Sequence, residues 1–242
     1  MGIKKFESFK MKKLVFLTGA GISEESGMSV FRGPNGIWEE YDPMVVCSIE
    51  GWRKNPALCQ KFYNERRVKL GQIEPNESHF ICKKMEEDYD VQIITTNVDD
   101  LHERAGSKNV LHLHGEITKV CDVDGKNVED IGYSLLSEIS FERRPFVVFF
   151  GEDVPLMTKA TEIIKSADIL VIVGSSLSVY PAASLISHFR GDKIVYIDPK
   201  AEENLSIYLD RSSLEEIKRL YDVQVYQDKS TTGLKKMVKN LK

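Results

Sequence analysis

The sequence predicts an α/β fold: a parallel sheet with helices on both faces, plus a smaller inserted lobe. Three observations carry that prediction. Six short runs rich in β-branched residues punctuate the chain, at Leu14–Leu17, Val91–Thr95, Val110–Leu113, Val147–Phe150, Ile169–Val173 and Ile194–Ile197. Most of them are continuously apolar, as strands covered on both faces are. Stretches with helical spacing lie between several of them.

The 242 residues are 42% hydrophobic and 29% charged, which suits a folded core and argues against global disorder. Met1–Lys13 carries lysines but no apolar segment, so it is expected to be a polar tail and not a signal peptide. Gly2 is followed by Phe6 where a myristoylation signal needs Ser or Thr. No apolar run approaches the roughly 20 residues that span a bilayer, and the expected compartment is the cytoplasm, with no membrane partner. A formal net charge of -4 argues against a nucleic-acid partner, since phosphate neutralisation needs a basic excess.

After the first strand, Pro56–Leu70 and Ser78–Glu87 carry apolar residues at helical spacing. Ser212–Leu220 opens with Ser-x-x-Glu, a capping-box signature. Leu234–Leu241 sets apolar residues on one side and lysines on the other, so it reads as a docked final helix. Two stretches fit the alternation badly. Gly33–Leu70 is a long connection with its own helix, and Glu116–Arg144 is polar and irregular, with a turn at Asp122–Gly125. Both read as insertions. The expected division of the single domain is a large lobe of about 1–33, 71–115 and 145–242, and a small lobe of about 34–70 and 116–144.

The chemistry begins where Leu14–Leu17 runs into Thr18-Gly19-Ala20-Gly21-Ile22-Ser23. A glycine pair after a first strand lets the backbone approach a pyrophosphate, as in Rossmann-like sheets. Glu24 stands where the dinucleotide fingerprint has its third glycine, so the loop alone is equally a tight strand-to-helix turn. Ser26-Gly27, Phe31-Arg32-Gly33 and Asn35-Gly36-Ile37-Trp38 continue it as a glycine-spaced segment suited to a lid. Asn97 and Asp99 follow the strand Val91–Thr95, at the carboxyl end where parallel sheets bind ligands. His112 and His114 close the strand Val110–Leu113.

Taken in order, these blocks resemble the sirtuin family. Gly19–Ser23 with Phe31-Arg32 and Gly36–Trp38 is similar to its NAD-binding loop. Asn97-Val98-Asp99 with Leu101-His102, then His114-Gly115, Phe150-Gly151-Glu152 and Gly174–Leu177 with Pro181, follow in the family's order. The resemblance implies an NAD-dependent protein lysine deacylase, in which NAD is a co-substrate and not a hydride carrier. The products would be nicotinamide, O-acyl-ADP-ribose and free lysine. It assigns His114 as general base on a ribose hydroxyl. Asn97 and Asp99 are placed in the nicotinamide and ribose pocket with Thr96 and Val98, and the Ile22 backbone joins Asp99 on the carboxamide. Gly19, Ala20, Gly21, Ser23, Phe31, Arg32 and Trp38 would also contact NAD. Gly174, Ser175 and Ser176 would meet its phosphates or adenosine ribose. Asp198 would take ribose hydroxyls, and Ser230 would line the adenine site. An acyl-lysine peptide would add as a strand between Val148–Glu152, with Val148, Phe150, Gly151 and Glu152, and Leu177–Tyr180, with Leu177 and Val179.

Tyr63 and Arg66 share a helix face, and an arginine fork suits a carboxylate. In the subgroup of sirtuins that removes succinyl and malonyl groups, a Tyr-x-x-Arg pair on this helix holds the acyl carboxylate. Two departures stand out. The family's four zinc cysteines are missing: Cys47, Cys59, Cys82 and Cys121 have no CxxC spacing, and only Cys121 lies in Glu116–Arg144. No metal site is expected, and packing alone is expected to hold the small lobe. Thr96 stands where the family has glutamine, which would cost a ribose contact. The alternatives are ADP-ribosyl transfer or NAD hydrolysis in the same pocket, a non-enzymatic sensor, or a dehydrogenase sharing the glycine loop.

Overall fold

The computed structural model describes residues 11–30, 36–137, 140–178, 182–208 and 221–241. The expectations placed on Phe31, Arg32, Val179, Tyr180, Pro181 and the helix over Ser212–Leu220 lie outside the described residues, as does the side chain of Trp38. In chain order the strands are β1 (Lys13–Thr18), β2 (Asp90–Thr95), β3 (Val110–His112), β4 (Gly115–Asp122), β5 (Glu129–Asp130), β6 (Arg143–Val147), β7 (Ile169–Val173), β8 (Lys193–Ile197) and β9 (Asp222–Tyr226). The helices are α1 (Gly21–Glu24), α2 (Ile37–Glu40), α3 (Pro43–Val46), α4 (Ile49–Lys54), α5 (Pro56–Leu70), α6 (Glu77–Lys84), α7 (Leu101–Arg104), α8 (Met157–Lys165), α9 (Ala201–Tyr208) and α10 (Ser230–Leu241). No helix among the described residues is long and apolar enough to cross a membrane.

The large sheet has the order β3-β2-β1-β7-β8-β9, and each neighbouring pair is parallel. Its continuous apolar runs are buried on both faces, as their pattern predicts. Val15, Leu17, Leu170, Ile172 and Tyr196 face one core, closed by α8 and the segment Ala182–Phe189. Leu14, Phe16, Val171, Val195 and Ile197 face the other, closed by Ile22, Cys82 and, on α10, Leu234 and Met237. From β1 the chain steps outward to β2 and β3, then returns to β7 on the other side of β1. The connections leaving β1 and β7 pack on opposite faces. The carboxyl ends of these two strands therefore flank a topological switch point, where such sheets bind ligands.

Two strand expectations are corrected. Glu116–Arg144 is not irregular: it holds β4 and β5, which with β6 make an antiparallel sheet in the order β5-β4-β6. The strand expected at Val147–Phe150 in the parallel sheet is instead β6, which begins earlier, ends at Val147 and lies at the edge of the small sheet. An edge strand tolerates Pro145, which has no N–H to give a neighbour. The strand β9 has no counterpart among the sequence expectations, which follow continuous apolar runs; its Asp-Val-Gln-Val-Tyr alternates instead, as a half-exposed edge strand does.

A third core, built from Trp52, Phe62, Tyr63, Leu101, Ile117, Val147 and Phe149, joins α4 and α5 to the small sheet. Asn55 caps α5 by accepting from Leu58 N–H, with Pro56 in the first turn. Buried Arg67 donates to Ile117 O at 2.7 Å and to Asn64 Oδ1 at 2.7 Å, tying α5 to β4.

Packing is not the whole of what holds this region. Arg143 pairs with Glu129 at 3.0 Å and Asp122 at 3.4 Å, and donates to Asn127 O at 2.8 Å. Arg144 grips Glu152 with two nitrogens, at 3.1 and 2.9 Å. The four cysteines are free and buried: Cys47 and Cys59 share the third core, and Cys82 lies in the second.

The helices α3 and α4 touch through Gly51, where an added Cβ would stand 2.1 Å from Val45 O. Gly51→Ala should therefore lower the unfolding free energy by about 1 to 3 kcal/mol, despite the roughly 1 kcal/mol that alanine gains in a helix. Urea unfolding checks it, and an unchanged midpoint would contradict this backbone contact.

Candidate active site

Backbone meets backbone at the switch point. Gly19 N–H donates to Val173 O at 3.0 Å, and Gly21 N–H to Gly174 O at 2.9 Å. A Cβ on Gly19 would lie 2.7 Å from Gly174 O, and one on Gly21 would lie 2.7 Å from Gly174 Cα. Gly174 itself has φ +59, and a Cβ there would reach within 2.4 Å of Ile22 N. The three glycines thus let two loops fuse at the mouth of the crevice. The third fingerprint glycine is not needed, because α1 ends at Glu24 and the chain turns away at Gly27, φ +99.

A buried polar chain lines that mouth. Asn97 Nδ2 donates to Gly19 O at 3.1 Å and to Ser23 Oγ at 3.2 Å. Ser23 Oγ donates to Asp99 Oδ2 at 2.8 Å, and Leu101 N–H reaches Asp99 Oδ1 at 3.3 Å. Asp99 is therefore both part of the cluster and the Asx turn that starts α7. Burial lifts its carboxyl to about 6, against the pull of Ser23 and Leu101. Ser230 Oγ, at the start of α10, donates to Gly21 O at 3.0 Å.

Some expected contacts are already engaged inside the fold. Ile22 buries its side chain, its N–H bonds Gly19 O, and its carbonyl accepts from Asn76 Nδ2 at 2.8 Å. The Ala20 carbonyl accepts from Ser23 N–H, and the Val98 carbonyl from Ile117 N–H. The Thr96 hydroxyl donates to Thr18 O at 3.2 Å, so this short side chain stitches β2 to β1. Ser175 carries its carbonyl against Tyr196 OH at 2.6 Å, while Ser176 is exposed. Asp198 accepts from Lys200 N–H at 2.9 Å and Asn204 Nδ2 at 3.1 Å, and burial raises its carboxyl.

His114 sits at the edge of this cluster. Its Nδ1 lies 3.1 Å from Thr96 O, and a carbonyl can only accept, so Nδ1 carries the proton. The Nε2 lone pair has no hydrogen bond to a described residue. Burial lowers the affinity of the ring for a second proton, with the Thr96 bond opposing. A neutral imidazole of fixed tautomer with one open nitrogen is the equipment of a general base. The His114 carbonyl accepts from Val148 N–H at 2.9 Å, which ties the segment after β6 to the same place.

Further along that segment, Phe150 bridges Ser48 in parallel, donating to Cys47 O at 2.8 Å. Its ring is exposed, as is Gly151, which turns the chain at φ +91. Met44, Ile49 and Arg53 wall a groove of about 500 Å³ beside these residues. The Glu152 carboxylate, by contrast, is spent on Arg144 and Phe149 N–H. Leu177 has φ +55, unusual for a branched side chain, and buries that side chain in the core.

Tyr63 lies under Phe149, with ring centroids 5.9 Å apart. Burial, then the neighbouring Cys47, keeps its phenol protonated far above the ordinary range. Arg66 lays its guanidinium 3.4 Å from the Phe62 ring centroid and donates Nη1 to Phe62 O at 2.8 Å. Its Nε is buried with no hydrogen-bond partner among the described residues. Cys47 lies beside Tyr63, and burial pushes its thiol up to about 12, so it lines this spot as a neutral group. The sequence reading missed Cys47 here and also Asn76. Only the second left a signal, as an Asn before a helix start.

A family model described as the Sir2 family matches residues 19–181. An NAD-dependent protein deacylase of Helicobacter pylori strain J99 is 48% identical over 198 residues, 79% of this chain and 85% of that one. Among solved structures, a Sir2 homologue in complex with NAD superposes with a TM-score of 0.79 at 32% identity, covering 96% of this chain and 90% of the other. A Sir2 variant holding a deacetylated p53 peptide and 3'-O-acetyl ADP ribose gives 0.75 at 29% identity, over 95% and 94%.

The raised Asp99 carboxyl sets a pH dependence. Between an ordinary value near 4 and about 6, the folded protein holds more protons here than the unfolded chain, so its stability falls as pH rises through that window. Asp99→Asn cannot titrate. The Tm of this variant minus that of the parent should grow from pH 4 to pH 6 and stay level above it; a difference flat across the window contradicts the buried carboxyl.

Proposed function

The chain belongs to the Sir2 family, and on that premise we propose that it is an NAD-dependent protein lysine deacylase whose reaction runs at the β1–β7 crevice. The observation that carries the reading is His114: a neutral, tautomer-fixed imidazole with Nε2 open, next to the Asn97–Ser23–Asp99 cluster. NAD, when bound, would supply an activated ribose carbon for the acyl oxygen, with nicotinamide as leaving group, and a ribose hydroxyl to take the acyl group. The residues present fit it, since polar side chains cluster where two glycine loops bring backbone groups to a switch point. Asn97 and Asp99 would orient the nicotinamide end. Gly19–Ser23 and Gly174–Ser176 would meet the phosphates and adenosine, with Asp198 and Ser230 beyond them. His114 would take a proton from a ribose hydroxyl at Nε2, its Nδ1–H held on the Thr96 carbonyl. Thr96 would serve through that carbonyl, its hydroxyl being turned to Thr18.

The substrate is read as an acyl-lysine protein, bound between a lobe of about 1–33, 71–115 and 145–242 and a lobe of about 34–70 and 116–144. Val148, Phe150, Gly151 and Leu177 would flank the peptide. The backbone of Glu152, not its carboxylate, would take part. Tyr63 and Arg66 would receive an acidic acyl group such as succinyl or malonyl. The support is that Arg66 has no ion-pair partner among the described residues, so its charge stays available, and that Tyr63 keeps a protonated hydroxyl.

Mass spectrometry of matched acetyl-lysine and succinyl-lysine peptides, with and without NAD, tests the reading. NAD-dependent acyl loss with O-acyl-ADP-ribose formed is expected. Consumption of NAD with both peptides intact would hand the site to ADP-ribosyl transfer or NAD hydrolysis. His114→Ala should abolish deacylation while NAD affinity stays within a few-fold, and a variant with full turnover would remove the general-base role. Arg66→Met should depress desuccinylation far more than deacetylation; equal losses would remove the carboxylate clamp.

A further inference from the structure

Two histidines, two residues apart, grip consecutive carbonyls of the loop after β2. His114 Nδ1 holds Thr96 O, and His112 Nδ1 holds Asn97 O, each at 3.1 Å. Their second nitrogens differ. That of His114 is open, whereas Nε2 of His112 lies 2.9 Å from Glu103 Oε1 on α7. A carbonyl and a carboxylate both only accept, so His112 satisfies both neighbours only as an imidazolium.

The ring is 8% exposed. It faces Glu103 and His102 from α7, Glu116 from β4 and Asp99 from the loop after β2. Burial opposes its charge, but the bond and charge of Glu103, with Asn97 O and Glu116, overcome it, and His112 titrates above an ordinary histidine.

What the ring holds is the backbone of Asn97. That residue also donates its N–H to Thr95 Oγ1 at 3.0 Å and its Nδ2 to Gly19 O and Ser23 Oγ. Among the described residues only its Oδ1 has no hydrogen bond. We propose that the Glu103–His112 ion pair is a positioning device, which clamps the Asn97 carbonyl and so fixes the Asn97 side chain against the glycine loop where the nicotinamide end of NAD would lie. Neither residue touches the reacting atoms. The proposal rests on the reading of this crevice as the NAD site and deepens it. A neutral His112 would turn a lone pair toward one acceptor, so loss of its proton opens the clamp at one end.

The test uses the full chain. Imidazole nitrogen NMR over pH 6–9 reads the charge on His112, in the parent and in Glu103→Gln. Steady-state kinetics give kcat and KM for NAD in the parent, His112→Ala and His112→Gln, with thermal melts to confirm folding. The parent His112 should be doubly protonated at pH 7, and Glu103→Gln should titrate at lower pH. His112→Ala should raise KM for NAD about tenfold, the worth of one charged hydrogen bond, with a smaller change in kcat. His112→Gln, whose amide N–H still reaches the Asn97 carbonyl, should recover most of that loss and should lack the alkaline rise in KM of the parent. A neutral His112 at pH 7 overturns the proposal, as does a folded His112→Ala with unchanged KM or a His112→Gln no better than Ala. A parent that neither binds nor consumes NAD sinks the crevice reading itself, a result distinct from an unshifted KM in an active enzyme.

Discussion

The site depends on one close approach, the seating of the Gly19–Gly21 loop against Gly174. Two hydrogen bonds and three glycines hold the ends of β1 and β7 together at main-chain distance. No side chain fits between them. Three polar groups of the crevice are then hung on this joint: Asn97 on the Gly19 carbonyl, Ser230 on the Gly21 carbonyl, and Asp99 through Ser23. The glycines that look like a nucleotide motif are thus required by the protein's own packing before any ligand is considered. That is why such a loop, alone in a sequence, identifies little.

From this joint the chemistry is divided by hydrogen-bond inventory. His112 and His114 receive the same tether at Nδ1, and the nature of the partner at Nε2 decides what each becomes. A carboxylate makes one a fixed cation. An open nitrogen leaves the other a base. Burial acts on both rings in the same direction, so the difference between them is electrostatic and local.

Much of this was legible in the chain. The buried strands announced themselves because a parallel sheet covered on both faces needs unbroken apolar runs, as in Ile169–Val173. The order of the sequence blocks singled out His114, but not the Thr96 carbonyl on which its Nδ1 rests. The small sheet was not legible: β4 mixes Lys and Glu with Ile and Val, and its pairing with β6 is long-range. Nor was the engagement of Ile22 and Glu152, since the partners Asn76 and Arg144 are set by tertiary geometry, not by spacing. Cys47 stood out in the sequence only as a cysteine, and acquires meaning by lying against Tyr63.

The small sheet is knit by Arg143, which gathers Asp122, Glu129 and the Asn127 carbonyl at a single point. Its strength is that of half-exposed charge pairs. A clasp of this kind answers to ionic strength and to acid, where a clasp of metal and thiolate answers to chelators and oxidants. The conditions that weaken this clasp are those of salt and proton concentration.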